Sequence, residues 1–291
     1  MDKIIEENPI SDSLYKSAFI RMVKDPSTML ALTVVMIYTV TAILSALGMV
    51  ATDWNLEVGT SYAAPSLEHW LGTDIFGRSV LTKVIHGTQV AMSVGFFTCL
   101  IAIPIGVLLG AIAGYFGGIV DDFVVWFYNT LSSIPSIMLI ISISLIMGRG
   151  LLAVYVALGA TSWVNLCRLI RAEVMKHKNR EYVQAAHALG AGNARRLFRH
   201  ILPNIFHIVI INTSLQFQTA IKSEVILSFL GIGVQGQPSW GTMIDDAKLE
   251  LARGVWWQLF AATVAMFIIV LAFNILGDAL RDALDPKIKG K

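Results

Sequence analysis

Residues 181–203 read Glu181-Tyr-Val-Gln184-Ala185-Ala186-His-Ala-Leu-Gly190-Ala-Gly-Asn193-Ala-Arg-Arg-Leu-Phe-Arg-His200-Ile-Leu202-Pro203. Ala-rich residues 173–189 favour a helix. Gly190 supplies its C-terminal stop, Asn193 the N-cap of the next helix, and Pro203 fits the first turn of the apolar run that follows. The segment is therefore expected to form an elbow of helix, break and helix. Small side chains at Ala185, Ala186 and Gly190 would let it fit closely against another protein. The plainer alternative is a basic loop held near anionic lipid headgroups.

Outward from the elbow, the chain turns strongly apolar. Of its 291 residues 55% are hydrophobic and 14% charged, against roughly 25% charged in an ordinary soluble domain. Such composition excludes disorder, and the clustering of apolar residues into long runs points to membrane spans. Six helical spans are expected, at about 27–50, 88–116, 121–147, 150–170, 205–233 and 255–279. Pro104 and Pro135 are candidate kinks. Cys99 and Cys167 both lie in apolar runs, where they read as small buried hydrophobes.

Cation placement sets the expected orientation. With both termini inside, the inner segments hold 16 of the 22 Lys and Arg residues and the outer segments five, with Lys222 inside a span; the excess inside fits the positive-inside rule. Residues 1–26 become a cytoplasmic segment, 27–50 the first span and 51–87 an outer segment. A five-span core, 88–279, contains the cytoplasmic loop 171–204, and 280–291 form a cytoplasmic tail. Trp54, Trp256 and Trp257 fall at expected outer interfaces, as aromatic anchors do.

Three further features carry functional expectations. Gly106, Gly110, Gly114 and Gly118 recur every fourth residue, which suits close helix packing within the chain or against another subunit. The fifth span is polar. Asn212, Gln216, Thr219 and Ser223 share one face, Gln218 and Lys222 another, and Glu224 lies about 200° from Lys222. Gln218, Lys222 and Glu224 are candidates for a translocation path, because charge inside a membrane is functional by default; snorkelling of Lys222 and helix–helix hydrogen bonding are the plainer accounts. In the outer segment, Trp70, Asp74 and Arg78 are candidates for docking an external protein, although Gly72-Thr73-Asp74 also fits an ordinary turn.

The elbow resembles the EAA loop of ABC-importer permeases: Glu-Ala-Ala, three residues, Gly, nine residues, Ile, one residue, Leu-Pro. Ala185, Ala186, Gly190, Leu202 and Pro203 match; Gln184 stands where the pattern has Glu, and His200 where it has Ile. His69-Trp-Leu-Gly-Thr-Asp-Ile-Phe-Gly-Arg78, Ala113–Asp121, Leu227–Gln235, Pro238-Ser-Trp-Gly241 and Phe273–Pro286 are similar to the peptide/nickel branch, in particular its C-type subunit. That resemblance, over about residues 65–286, implies a type I importer permease in the bacterial plasma (inner) membrane. It implies as partners a sister permease completing a heterodimer, two cytoplasmic ATPase subunits and an extracytoplasmic binding protein, in contact with membrane lipid and with no nucleic acid. Di- or oligopeptides are the implied cargo, with nickel complexes or another small solute the alternative. Glu181, Gln184 and the matched loop residues would couple ATPase closure to tilting of the fourth and fifth spans.

The chain has no glycine-rich phosphate loop ending in Lys-Ser/Thr, so no ATP, Mg²⁺ or other cofactor and no metal is expected on it; ATP and Mg²⁺ would belong to partner subunits. A membrane hydrolase would need a nucleophile beside a base, and neither the six histidines nor any Ser or Cys forms such a setting. A self-sufficient secondary transporter would be expected to carry midplane coupling charges and often an inverted repeat.

Overall fold

A computed structural model describes residues 22–284. It is built from helices, and among the described residues the only β pairing is two isolated bridges, Glu57 to Arg78 and Thr73 to Ser79. We label the main helices α1 (Pro26–Ala46), α2 (Val80–Phe116), α3 (Gly118–Ser132), α4 (Ser136–Ile146), α5 (Leu151–Lys178), α6 (Glu181–Ala188), α7 (Leu202–Phe229), α8 (Trp240–Leu251) and α9 (Trp257–Leu284). The short helical turn Asn193–Arg195 and the wide π turn Arg196–Ile201 join α6 to α7.

Among the described residues, α1, α2, α5 and α9 are long and apolar enough to cross a membrane, and α3 with α4 makes a fifth candidate bent by 87°. The continuous third span expected at 121–147 is thus broken. Pro135 has no N–H to donate and disfavours helix at Ile134 before it, so α3 stops at Ser132 and α4 starts at Ser136. Pro104, by contrast, lies inside an unbroken α2. Helix α7 has the length of a span but over its most apolar stretch is more polar than these helices, with Asn212, Gln216, Gln218, Lys222 and Glu224 along it.

Helix α2 begins at Val80 rather than 88, so the outer segment gives up its last eight residues to the helix. Its 37 residues reach roughly 55 Å at 1.5 Å per residue, well beyond a ~30 Å hydrocarbon core. Ser79 caps its start by accepting from the Thr82 amide.

α2 and α5 run alongside each other through the glycines. A β-carbon on Gly106, Gly110 or Gly114 would stand 2.9, 2.5 and 2.5 Å from the carbonyl oxygens of Trp163, Cys167 and Arg171. One glycine meets one carbonyl per turn, and only hydrogen fits there. Gly118 lies outside this stripe: it opens α3 with φ +53° and touches nothing within 4 Å. Cys99 and Cys167 are free thiols in the packed interior.

One cluster of the core gathers Val80, Ile221, Trp240, Met243, Ala262 and Ile269. Trp257 belongs to this core, and its indole N–H donates to the Thr73 carbonyl at 2.9 Å. It therefore ties residues 51–87 to α9 from within the packed core rather than facing outward as an anchor would, whereas Trp256 is exposed.

Candidate functional site

The elbow is held as one piece. Val183, Leu197 and Ile201 are buried against Ile170 and Val174 of α5 and Ile205 of α7; each such side chain contributes about 1.5–3 kcal/mol by leaving water. Helix α6 ends in a Schellman arrangement: the Ala191 amide donates to Ala186 O and the Gly190 amide to His187 O, both at 2.9 Å, with Gly190 at φ +84°. The helix expected over 173–189 is interrupted at Asn179 and Arg180, and the His177 ring meets the Tyr182 hydroxyl at 2.8 Å across that break. Asn193 is not the next N-cap. Gly192 occupies that position, and the Asn193 side chain instead accepts from Tyr115 and Arg196.

Within the elbow, Glu181, Gln184, Ala185 and Gly190 are exposed and Ala186 is buried. His200 lies half-buried in the π turn, Leu202 is half-buried, and Pro203 sits exposed in the first turn of α7. Leu189 is 90% exposed and Phe198 is also exposed, so the elbow presents apolar surface on a basic background.

α5 runs into the elbow and α7 leaves it, and between them lies a cleft of about 390 Å³, also walled by α2 and α4. Asn212, Gln216, Thr219 and Ser223 all face it, joined by Ser162 and Asn165 of α5. Gln216 Nε2 donates to Ser162 Oγ at 3.1 Å, bridging the two helices. Gln218 and Glu224 do not line this cleft; both are buried elsewhere on α7, while Lys222 is exposed. Glu224 accepts from Ser228 Oγ at 2.7 Å, and Ser228 in turn accepts from the Val234 amide. This chain of bonds ties the end of α7 to the loop beyond it. Ser162 and Asn165 were missed in the sequence, although polar side chains three apart in an apolar run place both on one helix face.

In the outer segment, Asp74 is buried and organises its own turn. Its carboxylate accepts from the Phe76 and Arg78 amides at 2.8 and 2.9 Å and from Lys83 Nζ at 3.0 Å. Lys83 also donates to Gln258 Oε1 at 2.9 Å. The Arg78 guanidinium lies 4.6 Å from the centre of the Phe76 ring. Trp70 is 72% exposed and its indole N–H donates to the Leu67 carbonyl; Leu67, Ile75 and Phe76 of the same segment are exposed as well. Burial drives the Glu250 carboxyl up to about 7 and raises Asp246 as well; Lys83 opposes both shifts. A metal-holding group of three or more His, Cys, Asp or Glu side chains does not occur among the described residues.

Residues 106–290 match the family of inner membrane components of binding-protein-dependent transport systems. The chain is 39% identical over 226 residues to the dipeptide transport system permease protein of Bacillus subtilis (strain 168), covering 77% of this chain and 71% of the relative. It is 33% identical over 278 residues to the oligopeptide permease protein of the same organism, covering 95% and 91%. To the glutathione transport system permease protein of Pectobacterium atrosepticum it is 38% identical over 226 residues, covering 77% and 75%. The chain belongs to the family of binding-protein-dependent transport system inner membrane components. It is a multi-pass membrane permease subunit of an ABC transporter and does no catalysis itself.

Proposed function

We propose that this subunit forms, with a sister permease, the translocation path of an ATP-driven importer of di- and oligopeptides. Two cytoplasmic ATPase subunits supply the energy, using ATP and Mg²⁺ that this chain does not bind, and an extracytoplasmic binding protein delivers the cargo. The six-span, both-ends-inside topology in the bacterial inner membrane goes with this reading, counting α7 and the bent α3–α4 pair as spans. Relatives named for dipeptide and oligopeptide transport support the cargo class.

The observation that carries the reading is continuity. Of the four helices that wall the polar cleft, two, α5 and α7, are the ones the elbow connects. Displacing the packed elbow by ATPase closure would tilt both walls together. The exposed residues Glu181, Gln184, Ala185 and Gly190 would meet the ATPase subunit, with Ala186, His200, Leu202 and Pro203 holding the elbow to the two helices. The cleft residues Asn212, Gln216, Thr219 and Ser223 would border the path, with Gln218 and Glu224 supporting from behind and Lys222 facing outward. The exposed segment carrying Trp70 would dock the binding protein, with Asp74 and Arg78 shaping it.

Reconstitution tests the proposal. The chain purified with its ATPase and sister subunits in vesicles should import a labelled dipeptide only with ATP and binding protein present. Import by this chain alone, or import indifferent to ATP, would overturn it.

A further inference from the structure

A second cavity, of about 350 Å³, lies where the end of α2 meets the elbow. Tyr115, Lys178, Asn179, Gln184, His187 and Arg196 line it, and no carboxylate does. Lys178 Nζ stands 5.7 Å from the centre of the Tyr115 ring and Arg196 Cζ 5.8 Å. Neither cation forms an ion pair among the described residues. Asn193 Oδ1 accepts from both the Tyr115 hydroxyl and Arg196 Nη2, which fixes the guanidinium against the ring. Arg196 Nε is buried and has no hydrogen-bond partner.

An aromatic face attracts a cation but does not neutralise it. Two cations gathered round one ring, with no carboxylate in the lining, leave the cavity positive. A planar guanidinium fork beside an ammonium suits a tetrahedral oxyanion above other ligands. The cavity's neighbourhood also matters. Phe116 on its rim is half exposed, and Ile119 and Phe123, at the start of α3, are 88% and 61% exposed. Apolar surface next to a basic cavity at a helix end is the arrangement that takes a lipid headgroup with its acyl chains alongside.

We propose that this cavity binds a phosphate-bearing anion between Arg196 and Lys178, with the headgroup of an anionic phospholipid as its source. Bound there, the anion joins the end of α2 to the elbow. The inference does not depend on the cargo being a peptide.

The test uses the complex purified with its partner subunits, stripped of lipid, then titrated with phosphatidylglycerol or with inorganic phosphate and followed by native mass spectrometry and calorimetry. Phosphatidylglycerol should bind the parent complex and bind about tenfold more weakly to Lys178→Gln and to Arg196→Gln. Arg195→Gln and Arg199→Gln remove exposed cations outside the cavity and should change nothing. Phosphate binding with the same variant pattern, and no lipid binding, would uphold the site and assign it to the free anion. Binding equal in all five proteins, or absent from the parent, overturns the proposal. So does loss of the ATPase subunits from Lys178→Gln with no anion effect, which would mean that a carboxylate of that partner fills the cavity.

Discussion

Gly110 of α2 lies directly on the main chain of Cys167 in α5, where an added β-carbon would stand 2.5 Å from the carbonyl oxygen and 3.1 Å from the Arg171 amide. Backbone cannot swing aside as a flexible side chain can, so the helices must separate to admit even a methyl group. Gly110→Ala should cost ~1–3 kcal/mol by overpacking, and Gly110→Leu should prevent stable assembly. Thermal midpoints of the detergent-solubilised complex check this. An unchanged midpoint for Gly110→Leu would mean that α2 and α5 are not in contact as described.

Gly190 poses the opposite case, for nothing lies within 4 Å of its would-be side chain. The cost of substitution inside the chain is conformational, about 1 kcal/mol for a side chain held at φ +84°. Gly190→Arg should therefore insert and fold, yet abolish uptake by obstructing the surface offered to the ATPase subunit. Uptake and ATPase activity, measured on the same preparation, should part company. Full transport by Gly190→Arg would remove the elbow from the coupling route.

Two polar positions on α7 should answer differently to substitution. Gln216 borders the cleft and bridges to Ser162, whereas Glu224 is buried and bonded to Ser228. Gln216→Leu should alter the apparent KM for peptides severalfold, unequally among them, at unchanged expression. Glu224→Gln keeps an acceptor for Ser228 and should leave peptide preference as it was. The reverse pattern across a panel of peptides would move the path to the other side of α7.

The elbow and the polar face of α7 were legible because each rests on local rules. A glycine in left-handed conformation ends α6 as the sequence suggests, and spacings of four, three and four put Asn212, Gln216, Thr219 and Ser223 into one cleft. What could not be read depends on distant partners. Residues 80–87 are helical although the apolar run begins only at 88, and nothing local shows that Asp74 and Gln258, the latter 175 residues away, take up the charge of Lys83. The burial of Glu224 likewise comes from the loop beyond α7, through Ser228 and the Val234 amide, which no local spacing shows. The break at Asn179–Arg180 has neither Gly nor Pro to mark it, and the bend at Pro135 was foreseen as a kink but not as an 87° break.

The Lys83–Asp74 pair should behave as a buried ion pair. Both side chains are shielded, at 7% and 2% exposure, so removing one leaves the other's buried charge without its nearest counter-charge, Asp74 keeping the Phe76 and Arg78 amides and Lys83 keeping Gln258 and Asp246 at 3.9 Å. Lys83→Ala should lower stability by roughly 3–5 kcal/mol, while replacing both with neutral side chains of similar size costs much less. A double-mutant cycle on thermal midpoints measures the coupling. Additive losses from Lys83→Met and Asp74→Asn would show that the two charges do not depend on each other.

Glu250 lies in α8, outside the membrane-crossing helices, with 2% exposure and neither carboxyl oxygen bonded. Burial first, then the nearby Asp246 and Asp74 carboxylates, lift it from its ordinary 4.5 to about 7, against the pull of Lys83. A raised carboxyl means that the folded state binds the proton more tightly than the unfolded one. Its contribution to stability is therefore fully present below about pH 4.5 and falls away as pH rises through 7. The loss is on the order of a few kcal/mol, because each tenfold change in proton affinity is worth about 1.4 kcal/mol. Glu250→Gln keeps the neutral shape and removes the titration. Relative to Glu250→Gln, the parent should lose thermal stability between pH 5 and pH 8, with the two closest at the acid end. Curves that stay parallel across that range would mean that Glu250 reaches solvent and ionises freely.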